Sequence, residues 1–391
     1  MIYKSFKDHK LSWLGMGNMR LPTVGERHGP IDEKRAGEIL EYAYEHGVNY
    51  FDTAYRYHRG ESERFVGKIL SQYPRDTWYL ATKMPGHMMQ YKDRKLELTG
   101  YMQGQSISSP QEIFERQLEK CGVDFFDFYL LHNMWETAYD FYTDEELAIV
   151  DYLLEQKKAG RIRYLGFSTH ARPETIERFL DWKDCFDFAQ MQLNYLDWTL
   201  QEAGKKYEIL TRRGIPTVVM EPCRGGALAS LDEQAEALLR AARPKDSIAS
   251  WAFRFLQSLP NVMVVLSGMN TMEQLMENIE IFSKDEPTTE EEKGLLQKAV
   301  STMVDSLPCT GCRYCCDACP QGLDIPKLIS IYNELSFDRP NTLQYTLGAM
   351  TEDELPGACI QCGSCKELCP QGINVPYIMK QAAEAIAKYL G

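Results

Sequence analysis

At 391 residues the chain exceeds one ordinary domain, and its 44% hydrophobic and 25% charged residues are globular values that leave no reason for extended disorder. A formal charge of -13 excludes nucleic acid as a partner, because phosphate binding needs clustered Lys and Arg to replace released counterions. Residues 1–11 alternate charge with apolar side chains and no later stretch reaches the length of a membrane span, so the sequence reads as a soluble cytoplasmic protein with no membrane partner.

From residue 11 to 268 short apolar runs alternate with helix-period segments, which predicts repeated βα units around a parallel sheet. The expected strands are 13–16, 50–53, 78–83, 125–132, 164–168, 188–193, 217–221 and 263–267, most of them apolar on both faces as buried barrel strands are. Asp32 caps a helix with Ala36, Ile39, Leu40 and Ala43 on one face before Gly47 ends it. Another helix opens at Ser109, with Pro110 in its first position and Glu112 completing a capping box. Eight such units closing on themselves predict an α/β fold, the (β/α)8 TIM barrel, with its active site at the C-terminal ends of the strands. The alternative, an open doubly wound sheet, wants a Gly-rich turn after the first strand, and Gly15-Met16-Gly17-Asn18-Met19 lacks the third glycine.

Two long segments, 85–108 and 133–144, follow the third and fourth strands, where they are expected to cover the barrel mouth; a solvated surface excursion is the plainer alternative. Past the barrel a charged, Pro-containing stretch at 285–292 leads into a helical stripe of Leu295, Leu296, Ala299, Val300 and Met303. The expected organisation is a barrel over 1–284, a helical linker over 285–308 and a second domain over 309–391.

Nine of the twelve cysteines lie within 309–369, and the chain there repeats itself. Cys309, Cys312, Cys315, Cys319 and Pro320 recur fifty positions later as Cys359, Cys362, Cys365, Cys369 and Pro370, and Gln321-Gly322-Leu323-Asp324-Ile325-Pro326 is echoed by Gln371-Gly372-Ile373-Asn374-Val375-Pro376. With no sign of export, clustered thiols point to metal rather than disulfides. Two copies of C-x2-C-x2-C-x3-C-P resemble the dicluster bacterial ferredoxins. In that family three closely spaced thiolates wrap one cubane, and the fourth, followed by Pro, reaches the other. The resemblance implies two [4Fe-4S] clusters, one on Cys309, Cys312, Cys315 and Cys369 and the other on Cys359, Cys362, Cys365 and Cys319. The helix-like stretch 325–335 favours a small, mainly helical ferredoxin-like domain over a β-rich one. Zinc also suits paired C-x2-C units, but it wants four ligands in two pairs and each run supplies four at unequal gaps. Cys316 aligns with Lys366 and reads as a bystander, while Cys121, Cys185 and Cys223 read as buried core thiols of the barrel.

The second expected strand ends Phe51-Asp52-Thr53-Ala54-Tyr55-Arg56-Tyr57, the third Ala81-Thr82-Lys83 and the fourth Leu130-Leu131-His132. In this order, at the ends of successive strands, these strings resemble the aldo-keto reductase family, across residues 1 to about 282. Reducing a carbonyl by hydride transfer leaves a growing alkoxide that needs a proton donor and a polarising hydrogen bond. A tyrosine of pKa about 10 is a poor donor near neutrality without a neighbouring charge. The resemblance implies Tyr57 as general acid, Lys83 as the ammonium that lowers its pKa, Asp52 as the anchor of Lys83 and His132 as the group that orients the carbonyl. A structural Asp52–Lys83 ion pair beside a core histidine is the plainer alternative.

The same resemblance implies NAD(H) or NADP(H). Ser168, Gln190 and Thr169, the last in the family's usual Asn position, are expected at the carboxamide. Met220 and Glu221 stand where the family often stacks an aromatic ring on the nicotinamide; Cys223, Gly225 and Gly226 fall in the pyrophosphate loop, and Gly268 and Asn278 near the adenine. Gln274 occupies the place where NADP-binding members carry Arg, which removes a bidentate partner for the 2′-phosphate and favours NADH at least equally. The spacer His58-Arg59-Gly60-Glu61 is longer than the family pattern, so the next helix is expected to start late; His170 and Arg20 are expected to face substrate or to brace loops.

A hydride carries two electrons and a cubane one, and no flavin motif is visible to split them. The leading reading is an oxidoreductase acting on a small-molecule carbonyl or alcohol, with clusters that stabilise the fold or exchange electrons with the substrate or with a ferredoxin- or flavodoxin-type carrier. Two alternatives stay open: a redox-neutral epimerase or lyase on a retained nicotinamide, and an electron-transfer protein with a non-catalytic barrel.

Overall fold

The computed structural model describes residues 1–25, 29–92, 95–98, 107–303, 307, 309, 311–337 and 343–391. The chain divides into two compact units, one formed by Met1–Asn194, Gly204–Ala229 and Ser247–Thr289, the other by Tyr195–Ala203, Ser230–Asp246 and Glu290–Gly391.

In the first unit eight parallel strands close into a barrel. They are β1 (Leu14–Gly17), β2 (Tyr50–Asp52), β3 (Tyr79–Met84), β4 (Phe126–Leu131), β5 (Ile162–Thr169), β6 (Phe188–Gln192), β7 (Thr217–Met220) and β8 (Val262–Ser267), with β8 pairing back onto β1. Closure excludes the open doubly wound sheet. Each strand lies within one or two residues of its expected span; β7 stops short of Glu221 because that residue turns to φ 55°, outside the extended region. The barrel interior is packed with Tyr50, Ala81, Phe128, Leu130, Phe188, Val218, Val264 and Leu266. Burying a side chain such as Phe128 or Phe188 contributes about 1.5–3 kcal/mol. A Cβ at Gly166 would lie 2.6 Å from the Phe188 ring, so β5 and β6 approach this closely only because residue 166 has no side chain.

An antiparallel hairpin, Tyr3–Phe6 with His9–Ser12, precedes the barrel and adds Phe6 and Leu11 to the same core. Asp32 accepts from Arg35 N and Ser109 from Glu112 N, as their N-cap positions require. The capping box differs from expectation: the Glu112 carboxylate takes the backbone N–H of Ser108 (2.7 Å) and the Ser108 hydroxyl (2.8 Å), one residue earlier than the Ser109 N–H. Cys121 is buried in the barrel wall, while Cys185 and Cys223 are only half-buried, so of the three expected core thiols one is fully inside.

After β3 the chain makes a short turn, Gly86–Met88, and an antiparallel hairpin, Met89–Lys92 with Lys95–Leu98. The expected cover of the barrel mouth falls in part on 93–94 and 99–106, which lie outside the described residues, as do 304–306 and 308 of the expected linker. After β4 a short helix, Tyr139–Thr143, brings the Tyr142 hydroxyl to Met84 O (2.9 Å) and His132 O (2.7 Å), tying this segment to the ends of β3 and β4.

In the second unit the helices Glu233–Ala242 and Glu290–Met303 pack together, joined by Arg243 Nε donating to Glu292 (2.5 Å). The sequence repeat is a structural one. Each half has a one-turn helix, Tyr314–Asp317 and Ser364–Glu367, followed by a long one, Ile325–Phe337 and Val375–Leu390. The turn between them closes the same way in both halves, with Gly322 N donating to Cys319 O and Gly372 N to Cys369 O, each at 3.0 Å. The long helices pack on each other and bury Leu328 and Ile329 against Val375, Ile378 and Met379. No helix among the described residues is long and apolar enough to cross a membrane.

Candidate active site and cluster sites

Asp52, Lys83 and His132 stand at the C-terminal ends of β2, β3 and β4, and Tyr57 opens the turn that follows β2. The fold brings all four together at one rim. Lys83 is fully buried, and its ammonium donates its three protons to both carboxylate oxygens of Asp52 (2.7 Å each) and to Thr53 O (2.8 Å), standing 3.5 Å from the Tyr57 hydroxyl. Asn18 in turn donates to Asp52 O (2.9 Å) and Met16 O (3.2 Å), locking β2 to β1 beneath the pair. Burial works to lower the Lys83 pKa, but Asp52 and the Tyr57 phenol outweigh it, so the ammonium keeps its proton above the usual lysine range. For Tyr57 burial wins over the pull of Lys83 and the phenol lies above its ordinary value. Lys83 lowers the phenol's pKa, as the sequence led one to expect, but the larger effect of burial, which the sequence does not show, sets the net direction.

The mount of Tyr57 is strained. His58 and Arg59 both adopt left-handed backbone, φ 50° and 57°, which L residues reach at a cost of about 1–2 kcal/mol each. His58 Nε2 accepts from Leu21 N (3.1 Å) and holds the bend, and the following helix starts late, at Ser62.

His132 faces Tyr57, with ring centroids 6.0 Å apart and planes nearly perpendicular. Burial, then the neighbouring His87, Lys83 and Arg56, hold its pKa well below the usual histidine range, so it is neutral; its Nδ1 is buried with no hydrogen-bond partner among the described residues. Sequence reasoning missed the group behind it. His87 Nδ1 donates to His132 O (3.1 Å), which leaves Nε2 to accept from Arg56 Nη1 (3.1 Å). The His87 ring meets those of His132 and Trp135 edge-on at 4.5 and 5.7 Å. Burial and Arg56 lower the His87 pKa to about 3, and burial and Lys206 lower that of His170 likewise to about 3. Also missed was the buried carboxylate under the rim. Glu63 accepts from Thr82 (2.7 Å) and from Gln117 (2.5 Å), and the same Gln117 amide reaches Lys83 O at 3.1 Å, so the backbone of Lys83 is clamped from below.

On the side expected to hold a nucleotide, Gln190 is buried, its Oε1 has no hydrogen-bond partner among the described residues, and its Nε2 lies 3.7 Å from Met220 Sδ. A buried amide oxygen left unpaired suits a bound carboxamide, whose N–H2 would satisfy it. Ser168 accepts from Asn133 N (2.9 Å). Thr169 gives its only hydroxyl proton to Met134 O (2.5 Å) and accepts from Ala171 N (2.9 Å), so this hydroxyl braces the loop after β4. Past β7, Gly225 and Gly226 take φ 65° and 103°, the backbone freedom a loop around phosphate needs. Half-buried Cys223 precedes them. Arg20 pairs with Glu221 at 3.2 Å and lies along Gly268, where a Cβ would meet its side chain at 3.3 Å. Asn278 donates to Ser267 (3.0 Å), and Gln274 Oε1 accepts from Asn270 N (3.0 Å) at the start of its helix.

In the second unit Cys309, Cys312, Cys315 and Cys369 line one hollow, and Cys319, Cys359, Cys362 and Cys365 line another. Each hollow takes three sulfurs from one run and one from the other. Most of the remaining lining is apolar, with Ile329, Leu368 and Ile373 at the first and Leu323, Ile325 and Met379 at the second, beside Arg313 and Gln371 at the first and Gln321 at the second. The thiols ring these hollows rather than converge: among the described residues no three His, Cys, Asp or Glu side chains group tightly enough to share a single ion. A donor set of four spread thiolates around an apolar hollow fits a cubane.

Barrel and rim together place the chain in the TIM-barrel class, with Asp52, Lys83, Tyr57 and His132 gathered at the C-terminal ends of its strands. The Aldo/keto reductase family model matches residues 13–300, and the chain belongs to that family; a 4Fe-4S dicluster domain matches residues 308–373. The NADH-specific methylglyoxal reductase of Escherichia coli (strain K12) is 25% identical over 303 residues, covering 70% of this chain and 90% of its own. The uncharacterized oxidoreductase YqkF of Bacillus subtilis (strain 168) is 27% identical over 309 residues, covering 74% and 92%. Among solved structures, the holo form of aldo-keto reductase AKR11C1 from Bacillus halodurans superimposes with a TM-score of 0.59 at 27% identity, over 76% of this chain and 96% of that one.

Proposed function

We propose that the barrel, over about residues 1–284, reduces a small-molecule carbonyl, or oxidises the corresponding alcohol, with NAD(H) or NADP(H), and that the C-terminal residues 309–391 hold two [4Fe-4S] clusters. The observation that carries the reading is the buried Lys83 ammonium, held by Asp52 with the Tyr57 hydroxyl at 3.5 Å. A bound nicotinamide would supply or take the hydride at the carbonyl carbon. Tyr57, protonated because its pKa is raised, gives its proton to the alkoxide as it forms, and the fixed charge of Lys83 steadies the phenolate left behind. Neutral His132 presents an imidazole N–H to the carbonyl oxygen and holds it toward Tyr57. Ser168, Thr169 and Gln190 would hold the carboxamide end, with Thr169 acting by bracing; Met220 and Glu221 would serve the nicotinamide, Cys223, Gly225 and Gly226 the pyrophosphate, and Gly268 and Asn278 the adenine. Cys309, Cys312, Cys315 and Cys369 ligate one cluster, and Cys359, Cys362, Cys365 and Cys319 the other. Bound clusters would supply one-electron transfer, served by a ferredoxin- or flavodoxin-type carrier.

Because Tyr57 is raised and His132 lowered, neither changes protonation in the neutral range. The rate of carbonyl reduction is therefore expected to stay level from about pH 6 to 9 and to fall only as the phenol ionises above about pH 10. A pH–rate profile checks this, and an inflection near 6.5 would refute neutral His132.

With Gln274 in place of an Arg, NADH is expected to serve at least as well as NADPH, and the Escherichia coli relative is named NADH-specific. Kinetics with both nucleotides measure this; a strong preference for NADPH counts against it. The function as a whole is tested by anaerobic purification with iron, sulfide and nucleotide analysis, followed by turnover of NADH with small aldehydes and ketones. About eight iron and eight sulfide per chain, with carbonyl-dependent NADH oxidation, are expected. A fully loaded protein that retains nicotinamide and never oxidises added NADH would overturn the reductase assignment.

A further inference from the structure

The two cysteine runs share a backbone but not the side chains around their sulfurs. In the second run Gln361 Nε2 lies 3.5 Å from Cys359 Sγ and 2.9 Å from Pro376 O, so the two protons of one amide nitrogen are aimed at a sulfur and a carbonyl that pins it. Ser364 Oγ stands 3.6 Å from Cys362 Sγ, and toward a thiolate only the hydroxyl can donate. Fifty positions earlier the counterparts are Gly311, which has no side chain, and Tyr314, which is 60% exposed. Among the described residues the first run has no side-chain donor matching either contact, although the Cys316 thiol, a weaker donor, is hydrogen-bonded with Cys315.

Charge does not cancel this difference. Around the first run Arg313 is bound by both oxygens of Asp324 (3.2 Å each), and the second run carries Lys366 next to Glu367 in sequence, with Glu352, Asp353 and Glu354 exposed ahead of it. These charges are exposed and screened by water and salt, so the two side-chain donors to sulfur are the larger difference between the runs. A donor at a ligand sulfur draws electron density off the cluster and favours the form carrying one more electron, which raises the reduction potential.

We infer that the two clusters have different reduction potentials and that the first electron rests on the cluster held by Cys359, Cys362, Cys365 and Cys319. The inference builds on the dicluster reading above. A one-electron donor of the ferredoxin or flavodoxin kind passes one electron to this cluster, taking it from the 2+ to the 1+ state with no bond made or broken. A second electron enters the other cluster only at lower potential. The chain thus takes up electrons in two separated single steps, in a fixed order.

The test is an EPR-monitored titration with dithionite and mediators on the full chain, purified anaerobically with iron and sulfide measured on every sample. Two one-electron steps are expected. Gln361→Leu lowers the upper step, by about 59 mV if the donor is worth tenfold in the equilibrium constant, and leaves the lower step in place. Gly311→Gln is the converse: Gly311 has φ 69° where Gln361 has φ 59°, and a Cβ there meets nothing within 4 Å, so a transplanted amide raises the lower step. Should Gln361→Leu lose iron, Ser364→Ala removes the other donor and lowers the same upper step. A single step for both clusters, a shift of the lower step by Gln361→Leu, or loss of both donors with neither step moved overturns the inference. Wild-type protein without acid-labile sulfide would instead sink the dicluster reading itself, so the two failures are distinguishable.

Discussion

Tyr57→Phe lowers kcat for carbonyl reduction by about 10²- to 10⁴-fold and leaves KM nearly unchanged, the pattern for a group that acts only in the transition state. The expectation follows from what the substitution leaves in place. The ring keeps its position, because the left-handed bend at His58 and Arg59 and the facing His132 ring hold the backbone and the aromatic face, not the hydroxyl. Lys83 keeps its bonds to Asp52 and Thr53 O and loses only its longest contact. The proton donor alone disappears. Steady-state kinetics decide it: a variant within a few-fold of wild type would mean that the alkoxide takes its proton elsewhere.

Lys83→Met destabilises the barrel by about 3–5 kcal/mol as well as abolishing turnover, because it strands the Asp52 carboxylate in a site where that residue is only 3% exposed. Denaturant unfolding measures the loss. Replacing both partners, Asp52→Asn with Lys83→Met, restores much of the stability but none of the activity, since no charge then remains to be buried unpaired and none remains beside Tyr57. A double variant as unstable as the single one would show that Lys83 matters for its packing rather than its charge.

The barrel was legible because its strands are apolar on both faces and separated by helix-period segments, the pattern of a parallel, doubly covered sheet. The hairpin at 3–12 was not, since Lys4, Ser5, His9 and Lys10 read as a polar terminus while Phe6 and Leu11 are the apolar residues it adds to the core. Asp52, Lys83 and His132 were visible through their places at strand ends. His87 and Arg56 were hidden, for His87 falls in a polar stretch without periodicity, and its bond to His132 O exists only once β3 and β4 lie side by side. Glu63 was hidden for another reason. On a helix a glutamate reads as surface, and only the approach of Thr82 and Gln117 from two other elements satisfies it inside. The direction of the Tyr57 shift depends on depth, which no residue string records.

The exchange of one thiol between the two cysteine runs makes them interlocked hooks rather than beads on a string. A chain cut before residue 359 would leave Cys309, Cys312 and Cys315 without Cys369, and Cys319 without any companion, so neither hollow is completed by half the repeat. Damage to either end of the duplication is thereby felt at both, and assembly of this region is expected to be all-or-none.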